Sequence, residues 1–205
     1  MPSSVELLTA RPVQLRGSRL ARAVLGLLGW TVVFDGLPAR QGVLVLYPHT
    51  SNWDFPIAML AKWSIGIEVR FWGKDTLFDI PLFGRWLRWL GGVPVHRHAP
   101  KGMVGEMVER MQAARQAGEF LWLALSPEGT RRRTEGWRSG FYQVATRADV
   151  PLALAFVDYP SRRIGLDSCL HLSGDAQRDI SAIAQRLAHH RGKRPEQAGP
   201  IRWIP

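Results

Sequence analysis

His49 and Asp54 stand five residues apart in the run Pro48-His49-Thr50-Ser51-Asn52-Trp53-Asp54-Phe55-Pro56, just after a short apolar stretch. An imidazole with one ring nitrogen held by a carboxylate keeps a fixed tautomer and leaves its other nitrogen free to take a proton. On a continuous helix the two side chains would diverge, but Thr-Ser-Asn is turn-like and lets the chain fold back. Asp54 then reads as a helix N-cap, with Pro56 tolerated in the first turn. The same residues also allow a plain capping aspartate and a polar loop histidine.

A second candidate segment, Pro127-Glu128-Gly129-Thr130-Arg131, follows another apolar run. Its glycine lets backbone approach a ligand closely, and its arginine offers a forked donor for phosphate. Arg132, Arg133 and Arg138 thicken the positive charge. A solvated basic loop or a nucleic-acid patch are the other readings. Only Trp137 is interleaved with the arginines and no nucleic-acid motif accompanies them, so no nucleic-acid partner is expected.

The elements that must hold these segments follow an α/β rhythm, short apolar runs alternating with longer amphipathic stretches. Runs at 43–47, 120–125 and 152–157 have strand length and no polar alternation, as in a mostly parallel central sheet covered by helices on both faces. Segments 68–72, 93–96 and 162–166 are further candidate strands. Helices are expected at 55–65, 79–90, 103–117, 139–148 and 176–190; the methionines of the third (Met103, Met107, Met111) read as core packing. In such a sheet ligands gather at the carboxyl ends of strands, where His49 and Glu128 both fall.

At 205 residues, 46% hydrophobic and 21% charged, the chain fits one well-cored domain. We expect the main α/β domain over 41–190, an amphipathic segment suited to a membrane interface over 1–40, and a loose tail over 191–205. Arginines ahead of the apolar run and no clear cleavage site argue against a signal peptide. The uncharged stretch 23–34 would rise only about 18 Å as a helix, against a hydrocarbon core of about 30 Å. It suits either an in-plane helix or a helix packed on the protein's own core. The single cysteine, Cys169, has no recognisable catalytic context and rules out an internal disulfide. His96-x-His98 lacks an evident third ligand, so no metal is expected.

Taken in order, His49-Thr-Ser-Asn-Trp-Asp54, Gly91-Gly-Val-Pro-Val-His-Arg97, Pro127-Glu-Gly-Thr-Arg131 and Val150-Pro151-Leu-Ala-Leu resemble the four sequence blocks of the glycerophospholipid acyltransferase family, the lysophosphatidic acid acyltransferase-like enzymes. The resemblance covers about residues 43–157. Pro48 stands where many members have asparagine, and Ser126 where many have an aromatic residue. The resemblance implies a glycerol-3-phosphate acyltransferase-like fold. It also implies transfer of a fatty acyl group from an acyl-thioester, acyl-CoA or acyl-carrier protein, to a hydroxyl of a glycerol-phosphate or lysophospholipid. No bound cofactor is implied. By position His49 is the base and Asp54 its orienting partner, while Arg97, Glu128, Gly129, Thr130 and Arg131 belong to the acceptor site.

A thioester needs little electrophilic help, so the difficulty is activating an alcohol beside it while excluding water. No Gly-x-Ser-x-Gly elbow is present, which favours direct transfer over an acyl-enzyme. A thioesterase or esterase using the same His/Asp pair, or a silent lipid-binding protein, are the alternatives. The excess of 27 Lys+Arg over 17 Asp+Glu, a formal net charge of +10, and nine tryptophans favour an anionic lipid surface. Trp86 and Trp89, interleaved with Arg85 and Arg88, offer a contact face on a helix. The expected location is cytoplasmic, peripheral on the inner face of the cell membrane.

Overall fold

The computed structural model describes residues 4–95 and 102–204. Its elements in chain order are β1 (Glu6–Leu8), α1 (Arg19–Leu27), β2 (Thr31–Val33), β3 (Gln41–Tyr47), α2 (Asp54–Ile65), β4 (Val69–Lys74), α3 (Asp75–Phe78), α4 (Phe83–Trp89), β5 (Gly92–Val95), α5 (Gly102–Gln116), β6 (Leu121–Leu125), α6 (Gly140–Ala148), β7 (Leu152–Asp158), β8 (Arg163–His171) and α7 (Ala176–Leu187).

The strands form one sheet in the order β1-β8-β7-β3-β6-β4-β5, with β2 also on β8. Neighbours from β7 through β5 are parallel. β8 runs antiparallel to β7, and β1 antiparallel to β8. The expected α/β domain with a mostly parallel sheet is therefore present. β3 sits between β6 and β7, and alternation along it feeds two layers. Val43, Val45 and Tyr47 face a core shared with Met107 and Met111 of α5, Phe141 of α6 and Ile183 of α7. Leu44 and Leu46 face the opposite side, where Ile65, Ile57 and Ala61 of α2 and Leu25 of α1 pack.

Three elements depart from the sequence expectation. The helix expected over 79–90 is shortened to α4, with the separate turn of α3 ahead of it, because Pro81 lacks an amide and disfavours helix at the residue before it; Leu82 then turns through φ 63°. β8 runs to His171, well past 166, since its full-length antiparallel pairing with β7 carries polar Asp167 and Ser168 inside the strand. Segment 4–40 supplies two sheet strands in addition to its helix; at three residues each they are too short to show alternation. α1 starts on Ser18, whose hydroxyl accepts from the Ala21 amide, and leaves Leu20 75% and Leu27 88% exposed.

Candidate active site

β3 delivers the chain, through a cis Tyr47–Pro48 peptide, into the turn that carries His49. That turn is organised by Asp54, the first residue of α2, which is completely buried. The cap position belongs to Trp53, so Asp54 is not the expected N-cap. Its carboxylate curls backwards: Oδ2 accepts from the Thr50 and Ser51 amides at 2.8 Å each and from His49 Nδ1 at 3.1 Å. Oδ1 accepts from the Tyr159 hydroxyl at 2.8 Å. Such charge-assisted bonds are the strong ones. Burial alone would raise the Asp54 pKa, but hydrogen bonds from His49, Ser51 and Tyr159 outweigh it and hold the pKa below its ordinary value. The carboxylate stays ionised, the proton of the ring sits on Nδ1, and Nε2 remains as the basic nitrogen. The imidazole is 20% exposed, open enough to meet a substrate.

Tyr159 escaped the sequence reading. It lies just past β7, at the same strand edge that drew attention to 48–54 and 126–131, and a tyrosine there was the available signal. Burial first, then the Asp54 hydrogen bond and charge, push its phenol pKa well up, so it acts as a neutral donor. Trp30 presses edge-on against it, ring centroids 5.0 Å apart at 90°.

Glu128 is 1% exposed, and neither carboxylate oxygen faces an open acceptor site. Oε2 accepts from the His49 amide at 2.8 Å and Oε1 from the Gly199 amide at 2.9 Å. Burial raises its pKa and the two amides only partly offset that. The glutamate thus clamps the histidine's backbone to the C-terminal segment. Tyr47 completes the clamp: its hydroxyl donates to the Gly199 carbonyl at 3.1 Å, and burial, then the Glu128 charge, push the phenol up to about 12.

The C-terminal segment, expected to be loose, is packed instead, because its backbone finds partners on the sheet's strand ends and in the His49 turn. The Arg191 amide donates to Asp158 Oδ1, the Tyr159 amide to the Arg191 carbonyl, and the Arg194 amide to Thr50 Oγ1. Gly192 passes so close to Thr50 that a Cβ there would lie 2.3 Å from the hydroxyl oxygen. Lys193 stands over the Trp53 ring, and Trp203 stacks on Phe141.

Of the remaining expected residues, Gly129 turns the loop at φ 66°, a conformation that favours glycine. Thr130 accepts the Arg132 amide. Arg131, Arg132 and Arg133 are exposed, and Arg131 has no partner among the described residues. The structure thus brings His49, Asp54 and Glu128 together and leaves Gly129, Thr130 and Arg131 on the outer side of the same loop. Arg97, with His96 and His98, lies outside the described residues. Cys169 is buried in the core, where burial pushes its thiol up to about 11, so it is no nucleophile. Among the described residues no serine hydroxyl or cysteine thiol is hydrogen-bonded to the His49 ring.

The sequence model of the family described as Acyltransferase matches residues 31–154. Over 103 residues, 49% of the chain, the sequence is 35% identical to 1-acyl-sn-glycerol-3-phosphate acyltransferase epsilon of Mus musculus and spans 28% of that protein's length. The crystal structure of the 1-acyl-sn-glycerophosphate (LPA) acyltransferase PlsC from Thermotoga maritima matches with a TM-score of 0.55 at 18% identity, covering 80% of this chain and 72% of that one. At that identity the likeness speaks for a shared fold. The family match takes in His49, Asp54 and Glu128 and more than half of the residues, and the chain therefore belongs to the acyltransferase family.

Proposed function

We propose that this chain transfers a fatty acyl group from an acyl-thioester, acyl-CoA or acyl-carrier protein, to a hydroxyl of a glycerol-phosphate or lysophospholipid, with His49 as the general base. The observation that carries this reading is the His49 Nδ1 to Asp54 Oδ2 contact of 3.1 Å beside an otherwise unengaged Nε2. His49 Nε2 takes the alcohol proton as the oxygen attacks the thioester carbonyl; the carbon–sulfur bond breaks, and the proton passes to the leaving thiolate. Asp54 steadies the imidazolium formed on the way. Direct transfer is supported by the lack of a serine or cysteine partner for the ring among the described residues. Names of the relatives, both acylating a glycerophosphate, point to the same acceptor class.

In this reading Glu128 is a positioning residue that fixes the His49 backbone, and the exposed Arg131 receives the acceptor's phosphate together with Arg97, as forked charge-assisted donors do. Gly129 and Thr130 shape the loop between them. The amphiphilic substrates place the enzyme peripherally at the inner face of the cell membrane; among the described residues no helix is long and apolar enough to cross a bilayer.

The test follows free thiol and acylated product together, with a lysophospholipid acceptor and acyl-CoA. His49→Ala should lower turnover about 10²- to 10⁴-fold, the range a positioned base supplies. Wild-type turnover in a folded His49→Ala variant removes the base role, and fatty acid released without acylated acceptor removes the transfer reading. Arg131→Ala should raise the KM for a phosphorylated acceptor with little change in the KM for acyl-CoA.

A further inference from the structure

Away from the dyad, β8 and the end of α7 bring together three side chains that the proposed transfer does not use. Asp167 lies on β8, and His189 and His190 follow the last turn of α7. One donor atom from each lies within 4.8 Å of the other two. The His190 ring is locked flat on Phe156, centroids 4.0 Å apart and 2° between planes, and the His189 ring lies 4.0 Å from it. His190 Nε2 is buried without a hydrogen-bond partner, so the protein's own groups do not fully engage this ring. Asp167 is oriented by the Ser168 hydroxyl, which donates to its Oδ2 at 2.9 Å. Donor groups pinned by neighbouring packing and hydrogen bonds are what metal ligands need.

We propose that Asp167, His189 and His190 form a binding site for a divalent first-row transition ion of zinc type. Two imidazole nitrogens and one carboxylate oxygen suit such an ion. They are too few and too nitrogen-rich for calcium, which takes six to eight oxygens, and they lack the thiolates that select copper(I). Metal-to-ligand distances of about 2.0–2.2 Å require the three donors to close by about an ångström. Asp167 and His189 are exposed, which gives both the freedom to close and a path for entry. The carbonyls at the end of α7 favour positive charge at the same place.

The ion has a structural consequence. Arg191, the residue after His190, pairs through its carbonyl with the Tyr159 amide and through its amide with Asp158. From there the chain runs to Thr50 and Glu128. A metal bridging β8 to His189 and His190 fastens the start of that segment, much as a clip closes a loop. The site itself does not rest on the acyltransfer reading, because its readouts are binding and stability.

Tag-free protein is stripped with chelator and titrated with cobalt(II), followed by visible absorbance, and with zinc(II) in competition with a chromophoric chelator. One ion per chain is expected, with a rise in thermal midpoint that grows with zinc concentration. The double variant Asp167→Asn/His189→Ala changes exposed side chains and should fold, lose at least about tenfold in affinity, and show no zinc-dependent rise. His49→Ala and His96→Asn/His98→Asn should bind as wild type does. Absence of stoichiometric binding, equal affinity in the Asp167/His189 variant, or loss of binding on changing His49 or the His96/His98 pair overturns the proposal.

Discussion

Asp54 uses both carboxylate oxygens to hold four donors, and these bonds fix the turn and the ring of His49 from one side. Asp54→Asn replaces a charged acceptor by an amide whose NH₂ must face other donors. It should lower stability by about 2–4 kcal/mol and turnover by roughly 10²-fold. The pH dependence has a definite sign. The folded pKa of Asp54 lies below its ordinary value, so its contribution is complete above the ordinary carboxylate range and fades as pH falls through the lowered value. Thermal melts of wild type and Asp54→Asn should therefore differ most at neutral pH and converge on acidification; a constant gap down to pH about 3 contradicts this. Tyr159→Phe removes one donor and keeps the ring against Trp30. A loss of about 1.5–3 kcal/mol is expected, with a smaller fall in kcat than for Asp54→Asn and an unchanged acceptor KM. His49 and Asp54 were legible in the sequence because the turn-like Thr-Ser-Asn between them lets their side chains meet, and the matching block at 127–131 favours that reading over a plain cap. Tyr159 was not: it reaches Asp54 from 105 residues away, and only the pairing of β3 with β7 makes them neighbours.

Three strand ends meet at the dyad, those of β3, β6 and β7, and their parallel register is what the continuous apolar runs already implied. The sheet's centre was thus readable from sequence, since strands buried on both faces leave a strong signal. Its edges were not, because β1 and β2 take their places only by pairing with β8. The same limit hid the role of the C-terminal segment, whose Gly, Lys, Arg and Pro composition reads as loose until carboxylates and hydroxyls accept its amides. Glu128 shows the consequence. As an acceptor contact it would face solvent; as a bridge between the His49 and Gly199 amides it is buried, and its raised pKa carries the opposite sign to that of Asp54. Its ionised form is disfavoured by folding, so its contribution is greatest at low pH and diminishes as pH rises through the raised value. Glu128→Gln keeps the shape and supplies only one accepting oxygen, leaving one buried amide opposite an NH₂ group. A loss of about 1–3 kcal/mol is expected, together with faster hydrogen exchange at the Gly199 amide and a fall in kcat that exceeds any change in acceptor KM. A rise in acceptor KM alone, with kcat and exchange unchanged, would return Glu128 to the acceptor site.

Taken whole, the molecule carries an apolar strip that its own core does not cover. Trp63 of α2 packs against Trp89 of α4 at 6.4 Å, Phe55 and Phe83 flank Trp86 at 6.2 and 5.6 Å, and Leu82 and Trp89 remain 77% and 72% exposed. α1 is tied to α2 where the Ser18 amide donates to the Trp63 carbonyl, and it exposes Leu20 and Leu27 as well. Exposed aromatic and aliphatic patches of this kind mark interaction surfaces, and with a net charge of +10 the partner predicted for this one is an anionic lipid surface. The two arginines of α4 divide the work unexpectedly. Arg88 is held over the Phe78 ring and donates to the Phe78 carbonyl, whereas Arg85 is exposed and has no partner among the described residues, so a headgroup contact is predicted for Arg85 rather than Arg88. A lipid surface engaged by both terms should respond to both. Flotation with vesicles rich in anionic phospholipid should recover the protein at low salt and part of it at high salt, because screening removes the charge term and spares the apolar one. Leu82→Asn with Trp89→Ser tests the apolar term without unfolding the chain, since asparagine tolerates the positive φ at 82 and Trp89 lies outside the core. Burying two such side chains contributes about 3 kcal/mol or more, so the double variant should partition at least about tenfold less, and Arg85→Gln should lose chiefly the salt-sensitive part. Failure of the wild-type protein to float at low salt, or equal flotation of the double variant, would mean that the strip faces something other than lipid.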